Sequence, residues 1–172
     1  VVGAGARVLI LGSMPGVASL DAAQYYAHPR NAFWPIVGDC AGFDPALPYE
    51  RRLAALVDAG IALWDVIGAC RRPGSLDAAI DPGSIEPNDV ASLLADHAGI
   101  AAILTNGGTA TRLYRRHLAA GLPPTIIHAG LPSTSPAHAG LPFAAKRAAW
   151  QAALHPWLPP NREPGHISDA ER

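Results

Sequence analysis

The chain has 172 residues, with 13 Lys+Arg against 14 Asp+Glu and a formal net charge of −1, about the size of one domain. Its 49% hydrophobic and 16% charged residues supply enough apolar material for a sizeable core and too little charge for a disordered polymer. Near-neutral charge argues against a broad basic face gripping nucleic acid. No window approaches the roughly 18 to 20 apolar residues that span a bilayer, and no charged segment followed by a long apolar run opens the chain, so no membrane association and a cytoplasmic location are expected. Cys40 and Cys70 have no third or fourth thiol beside them, which excludes a four-cysteine metal site from this chain.

The first apolar run, Arg7 to Gly12 (RVLILG), is short, continuous and stopped by glycine, the pattern of a buried strand in a parallel sheet. A glycine- and proline-bearing loop, GSMPG, leads on to Asn31 to Cys40 (NAFWPIVGDC), which suits a helix with Pro35 in its first turn or so. Tyr49 to Ala59 puts Leu53, Leu56 and Val57 on one face and Glu50, Arg51 and Arg52 on the other, the spacing of a surface helix. Ile61 to Val66 predicts a second strand, Asn88 to Ala98 a helix, Ile100 to Thr105 a third strand and Thr109 to Ala119 another helix. A fourth strand is expected at Thr125 to Ala129 (TIIHA), and a last helix over Phe143 to Leu154 with Lys146 on its surface. Residues 1–158 read as one domain, and the Pro-rich polar stretch 159–172 is expected to be flexible.

Strands alternating with helices point to the α/β class: a three-layer αβα sandwich around a central, mainly parallel four-stranded sheet. Such sheets place their sites at the carboxyl ends of the strands. The unusual polar loops all fall there: GSMPG after the first strand, TNGG after the third and GLPSTSPAHAG after the fourth. The stretch YYAHPRNAFW adds flat rings, an imidazole and an amide, more than a simple crossover requires, and makes a base-stacking pocket plausible.

GSMPG, then QYYAHPRNAFW, TNGG and LPSTSPAHA in that order resemble the uracil-DNA glycosylase superfamily, and most of all its sixth family, the hypoxanthine-DNA glycosylases. The resemblance runs from about Arg7 to Leu154. It implies an enzyme that hydrolyses the N-glycosidic bond of a deaminated base, hypoxanthine or uracil, flipped out of DNA. Two departures stand out. Met14 occupies the position where most branches carry an Asp or Asn that positions the attacking water, and Leu131 stands where many relatives have a His that contacts the leaving base. In the hypoxanthine branch the catalytic role goes to the Asn of HPRN, here Asn31.

Each implied role has a plain structural alternative. Asn31 can orient a water through its amide, or serve as a helix N-cap before AFWPIV. Tyr26 stands where an aromatic ring stacks on the extruded base, or fills the core. Asn106 can offer a donor and an acceptor to a base edge, or close an Asx turn. Met14 lines the base pocket in this comparison, and His28 can polarise a leaving group or act as a structural hydrogen-bonder. Ser133, Thr134 and Ser135 suit phosphate contacts, with Pro136 to His138 pushed into the duplex gap, or they form a Ser- and Pro-rich turn. Arg30, Lys146 and Arg147 are further phosphate candidates, and Asp65 after the second strand a residue that shapes the pocket.

Base removal passes through an oxocarbenium-like sugar, so the site must stabilise positive charge, accept the departing base and place one water. A bifunctional enzyme would need an amine nucleophile. Lys146 is the only lysine and is expected on the surface of the last helix, so a monofunctional glycosylase is expected; no metal or organic cofactor and a monomeric state are expected as well, the partner being DNA that contains deaminated bases. The rivals are a binding-only module for DNA or nucleotides and a small-molecule hydrolase using Ser133 or Ser135 with His138; the chain has no G-x-S-x-G elbow.

Overall fold

The computed structural model of the protein describes residues 1–160; most of the stretch 159–172, expected to be flexible, lies outside the described residues. Along the chain the strands and helices are β1 (Val8–Gly12), α1 (Val17–Ala22), α2 (Phe33–Ala41), α3 (Tyr49–Asp58), β2 (Ile61–Asp65), β3 (Ile67–Ala69), β4 (Glu86–Pro87), α4 (Val90–Asp96), β5 (Ala102–Asn106), α5 (Gly108–His117), β6 (Ile127–Leu131) and α6 (Phe143–Leu154). The main sheet has the order β2-β1-β5-β6, and every neighbouring pair is parallel.

The strand β1 explains the layering. All five of its residues are buried, and successive side chains of a strand point to opposite faces. Val8 and Ile10 join Phe33, Ile36, Leu56, Trp150 and Leu154 in one core, which packs α2, α3 and α6 on that face. Leu9 and Leu11 join Val90, Leu94, Leu113 and Tyr114 in the other, which packs α4 and α5. Each fully buried leucine or isoleucine contributes about 1.5 to 3 kcal/mol, so a two-sided apolar strand at the centre stabilises both layers. The three-layer sandwich read from the sequence is the observed architecture.

Register then brings the strand ends together. Gly12 pairs with Asp65, Leu11 with Thr105 and Asn106 with Leu131. The polar residues Asp65 and Asn106 thereby come to one edge of the sheet, flanking Gly12.

Several local expectations need correction. The fourth strand starts two residues later than TIIHA suggested, because Ile126 N–H donates back to the Pro123 carbonyl and keeps the chain in a turn. The helix expected from Asn31 begins at Phe33, with Ala32 as its terminal residue. The short α1 and the antiparallel pair β3–β4 were not anticipated. Lys146 is not on the surface: it is 6% exposed and its Nζ donates to the His138 carbonyl at 2.6 Å. Among the described residues no helix is long and apolar enough to cross a membrane.

Candidate active site

A cavity of about 770 Å³ opens at the carboxyl edge of the sheet, within the size range of ligand clefts. The β1–α1 loop, the Tyr25–Asn31 segment, Asp65, the 75–77 segment, the start of α5 and the 133–138 loop all contribute to its wall. Every residue the sequence nominated for the base or for catalysis lines it: Met14, Tyr26, His28, Asn31 and Asn106.

Tyr26 takes a left-handed backbone, φ 54°, unusual for a bulky residue. Its ring stacks on Phe33 with centroids 3.8 Å apart and planes 19° from parallel, so one face is supported by the core. Burial pushes its hydroxyl well above the ordinary tyrosine range, the Asp65 charge adds to the rise and the nearby Asn106 amide opposes it. Its neighbour Tyr25 is fixed instead by backbone contacts, donating its N–H to the Tyr49 hydroxyl at 3.0 Å and accepting the Trp34 indole N–H at 2.9 Å.

Asn31 shares its amide. Oδ1 accepts the Phe33 N–H at 3.0 Å, an Asx turn that satisfies one of the orphan donors at the start of α2. Among the described residues Nδ2 has no partner, and Oδ1 keeps its second lone pair. The structural role therefore uses one lone pair and leaves the remainder of the carboxamide to the cavity. His28 Nδ1 accepts the Arg30 N–H at 3.1 Å, which fixes that ring's proton on Nε2. Met14 Sδ lies 3.1 Å from the Cys70 thiol.

Asn106 is more committed than its sequence context implied. Nδ2 donates to Thr134 Oγ1 at 2.8 Å, and Oδ1 accepts the Thr134 N–H at 3.0 Å. Half of the donor and acceptor capacity expected to face a base edge holds the last loop instead. Thr134 is buried, its N–H and its hydroxyl oxygen are both engaged by Asn106, and its carbonyl accepts the Ala32 N–H at 3.0 Å. It anchors the 133–138 loop to the end of β5 and the start of α2. Trp150 Nε1 donates to the Pro132 carbonyl at 2.9 Å, and with the Lys146 bond this pins the loop at both ends.

Ser133 and Ser135 remain at the cavity wall. Their oxygens accept the Ser135 and Ala137 N–H groups, both at 3.2 Å, so each hydroxyl keeps a hydrogen to donate. His138 is exposed at the rim. Among the described residues no hydrogen bond joins either serine hydroxyl to His138. Arg30 is exposed at the wall, whereas Arg147 faces Asp39 at 3.4 Å on the surface.

Sequence reasoning missed a polar set behind the β1 loop. Ser13 Oγ lies 2.9 and 2.8 Å from the two carboxylate oxygens of Asp77. The Arg72 guanidinium, its side chain 3% exposed, faces Asp77 at 3.7 Å and donates to the Pro15 carbonyl. These bonds hold the 72–77 segment against the loop that follows β1. Asp65 stands beside them, 6% exposed. Burial pushes its carboxyl up to about 7; the amino group of Val1 and Arg72 oppose the rise and Asp77 adds to it. An acid closing an otherwise apolar strand, IALWD, was the available signal, since charges are buried only for a reason.

A family model described as the uracil DNA glycosylase superfamily matches residues 1–155. The chain is 39% identical over 102 residues to the hypoxanthine DNA glycosylase of Methanosarcina barkeri (strain Fusaro / DSM 804), covering 59% of this chain and 63% of that protein. It is 42% identical over 88 residues to the hypoxanthine DNA glycosylase of Methanosarcina acetivorans, covering 51% and 54%. The matched segments thus span less than two thirds of either relative's length. The solution NMR structure of a provisionally named uracil DNA glycosylase from Methanosarcina acetivorans superposes with a TM-score of 0.74 at 30% identity, covering 91% of this chain and 93% of that one. A family match over nine tenths of the chain, together with this fold and the motifs lining its cavity, shows that the protein belongs to the uracil DNA glycosylase superfamily.

Proposed function

We infer that the protein is a monofunctional DNA glycosylase that releases hypoxanthine or uracil from DNA by hydrolysis and leaves an abasic site. The observation that carries this reading is the convergence of a core-backed aromatic ring, Tyr26, and a partly unengaged carboxamide, Asn31, on one cavity in a chain of this superfamily. Two relatives named hypoxanthine DNA glycosylase support the choice of base.

The geometry suggests a division of labour. The Tyr26 ring takes the extruded base by stacking, which tolerates any planar base. Asn31 accepts a hydrogen bond from the attacking water and donates one from Nδ2, fixing the water without acting as a strong base. Ser133, Ser135 and the exposed 136–138 tip meet the DNA backbone and the gap left in the duplex. Lys146 does not line the cavity and its amine is held by the His138 carbonyl, so it is no candidate for a Schiff base. The serine hydrolase alternative draws no support from the cavity, since among the described residues no hydrogen bond joins either serine hydroxyl to a base.

The test is direct: duplexes with one deoxyinosine or deoxyuridine are incubated with the protein and abasic sites are cleaved with alkali. Alkali-dependent strand breaks at the modified position support the assignment, and intact strands with both substrates contradict it.

A further inference from the structure

We propose that the damaged DNA strand leaves the active site along a second groove, between α5 and the 130–141 stretch, where Arg112 and Arg115 each hold one backbone phosphate. The assignment rests on the glycosylase reading and names a surface that reading does not use.

The near-neutral total charge conceals a division. Residues 1–96 carry eleven Asp and Glu against six arginines, whereas Gly99 to Pro160 holds no acid and five cations: Arg112, Arg115, Arg116, Lys146 and Arg147. The acid-free stretch builds β5, α5, β6 and α6, one side of the sheet. Such an asymmetry creates a local positive field that attracts a polyanion even when the whole chain is close to neutral.

Two of the five cations are already engaged. Lys146 Nζ donates to the His138 carbonyl, and Arg147 faces Asp39. Arg112, Arg115 and Arg116 are exposed, and among the described residues their guanidinium groups have neither an acidic partner nor a hydrogen bond. Like charges three and four residues apart on one helix repel. Arg115 and Arg116 lie in the last turn of α5, where the helix dipole offsets part of that repulsion. Arg112 stands mid-helix and gains nothing from it. The Arg115 charge also reaches into the fold: after burial, it is what holds the His128 imidazole below its ordinary range.

The groove gives these side chains a use. Its volume is about 980 Å³, and Arg112 and Arg115 line it together with the 130–133 segment and His138. Gly108, Arg112, Ser133 and His138 line both the groove and the active-site cavity, so one opens into the other beside the 133–138 loop. The wall that carries the arginines is firm. Thr111 Oγ1 donates to the Gly107 carbonyl at 3.0 Å and lies 2.8 Å from Thr105 Oγ1. A Cβ on Gly130 would come to 2.8 Å from the same oxygen, so glycine there lets β6 approach α5 closely.

A nucleotide seated in the cavity has a phosphate on either side, and the strand must cross the rim. The rim at the 75–77 segment belongs to the acid-rich part of the chain and carries Asp77. Of the two arginines on the cavity wall, Arg30 and Arg112, only Arg112 continues into the groove, and Arg115 follows it three residues on, on the same face of the helix. The planar guanidinium fork matches two phosphate oxygens at once.

The experiment measures binding to a duplex with a central tetrahydrofuran, a stable abasic analogue, by fluorescence anisotropy between about 50 and 200 mM salt. Glutamine keeps the helix and removes the charge. Arg112→Gln and Arg115→Gln are each expected to reduce the slope of log affinity against log salt by about 0.9, and the double variant by about twice that. Arg116→Gln, on the same helix but outside the groove, should leave the slope unchanged. Neutral methylphosphonate linkages, placed one at a time along the damaged strand, should weaken wild-type binding at positions next to the lesion where the double variant loses nothing further. Wild-type slopes in Arg112→Gln and Arg115→Gln, an equal loss in Arg116→Gln, or the same methylphosphonate losses in wild type and double variant would each overturn the proposal. Base release from deoxyinosine or deoxyuridine duplexes, assayed in parallel, separates the two readings: release with unaltered slopes removes the groove and keeps the glycosylase, whereas the expected slopes without release remove the glycosylase and keep the DNA track.

Discussion

The Asn31 carboxamide is tied to the Phe33 N–H through Oδ1 at 3.0 Å, so the residue at the head of α2 is also the amide that faces the cavity. The bond fixes the rotamer of the side chain, and the water-positioning role proposed for it requires a fixed direction.

Structural and chemical roles at this position separate by substitution. Asn31→Ser retains a short oxygen that can close a similar turn, but cannot reach a water as the amide does. Its urea midpoint should stay close to wild type while base release falls by about 100-fold. Asn31→Ala should lose the same activity and about 0.5 to 1 kcal/mol of stability as well. Ser and Ala variants that both retain wild-type release would remove Asn31 from the chemistry.

The Asn106–Thr134 clasp predicts a binding defect. Thr134→Val is nearly isosteric and leaves Asn106 Nδ2 without its acceptor, at a cost of about 1 to 3 kcal/mol in a denaturant titration. With the 133–138 loop less fixed, the concentration of DNA needed for half-maximal rate should rise more than the saturated rate falls.

Gly107 makes a sharper stability prediction than its neighbour. Its φ is 98°, and a Cβ there would lie 2.8 Å from Ser133 Cβ. Gly107→Ala should cost about 1 to 3 kcal/mol, whereas Gly108→Ala, with nothing within 4 Å of the added atom, should leave the unfolding midpoint unchanged or slightly raised. Equal losses at the two positions would contradict the close approach of the loops.

The raised carboxyl of Asp65 links stability to pH. In the folded protein it titrates near 7 rather than 3.8, so the folded state binds a proton more tightly than the unfolded chain. This contribution is fully present below about pH 4 and is lost as pH rises through about 7. Wild-type stability should therefore decline across that window relative to Asp65→Asn, by on the order of a few kcal/mol in total. Urea midpoints of the two proteins that run parallel from pH 4 to pH 8 would show that Asp65 is not perturbed.

Much of this architecture was legible in the sequence because it rests on strong local signals. RVLILG is apolar on both faces and could only be a central strand, and the glycine-bearing loops that stop the strands mark the carboxyl edge where the cavity lies. The start of β6 was displaced because Thr125 and Ile126 look like strand but are held in the turn after Pro123 and Pro124. The six residues of α1 bury nothing and so carry no amphipathic signal. Lys146 and Thr134 look like surface groups; their burial depends on partners outside their own elements, the His138 carbonyl in the preceding loop and the Asn106 amide at the end of β5. The same holds for Asp77 and Arg72, whose partners Ser13 and Pro15 lie far away along the chain. Polar groups satisfied only by tertiary contacts leave no periodic trace.

The central claim is that a base released from DNA leaves through the Tyr26 and Asn31 site. The most direct measurement is single-turnover base release from a deoxyinosine-containing and a deoxyuridine-containing duplex, run side by side with wild type and Asn31→Ala. At least one duplex should lose its base with wild type and retain it, at a rate about 100-fold lower or less, with the variant. No base release by wild type from either duplex, or undiminished release by Asn31→Ala, would contradict the account.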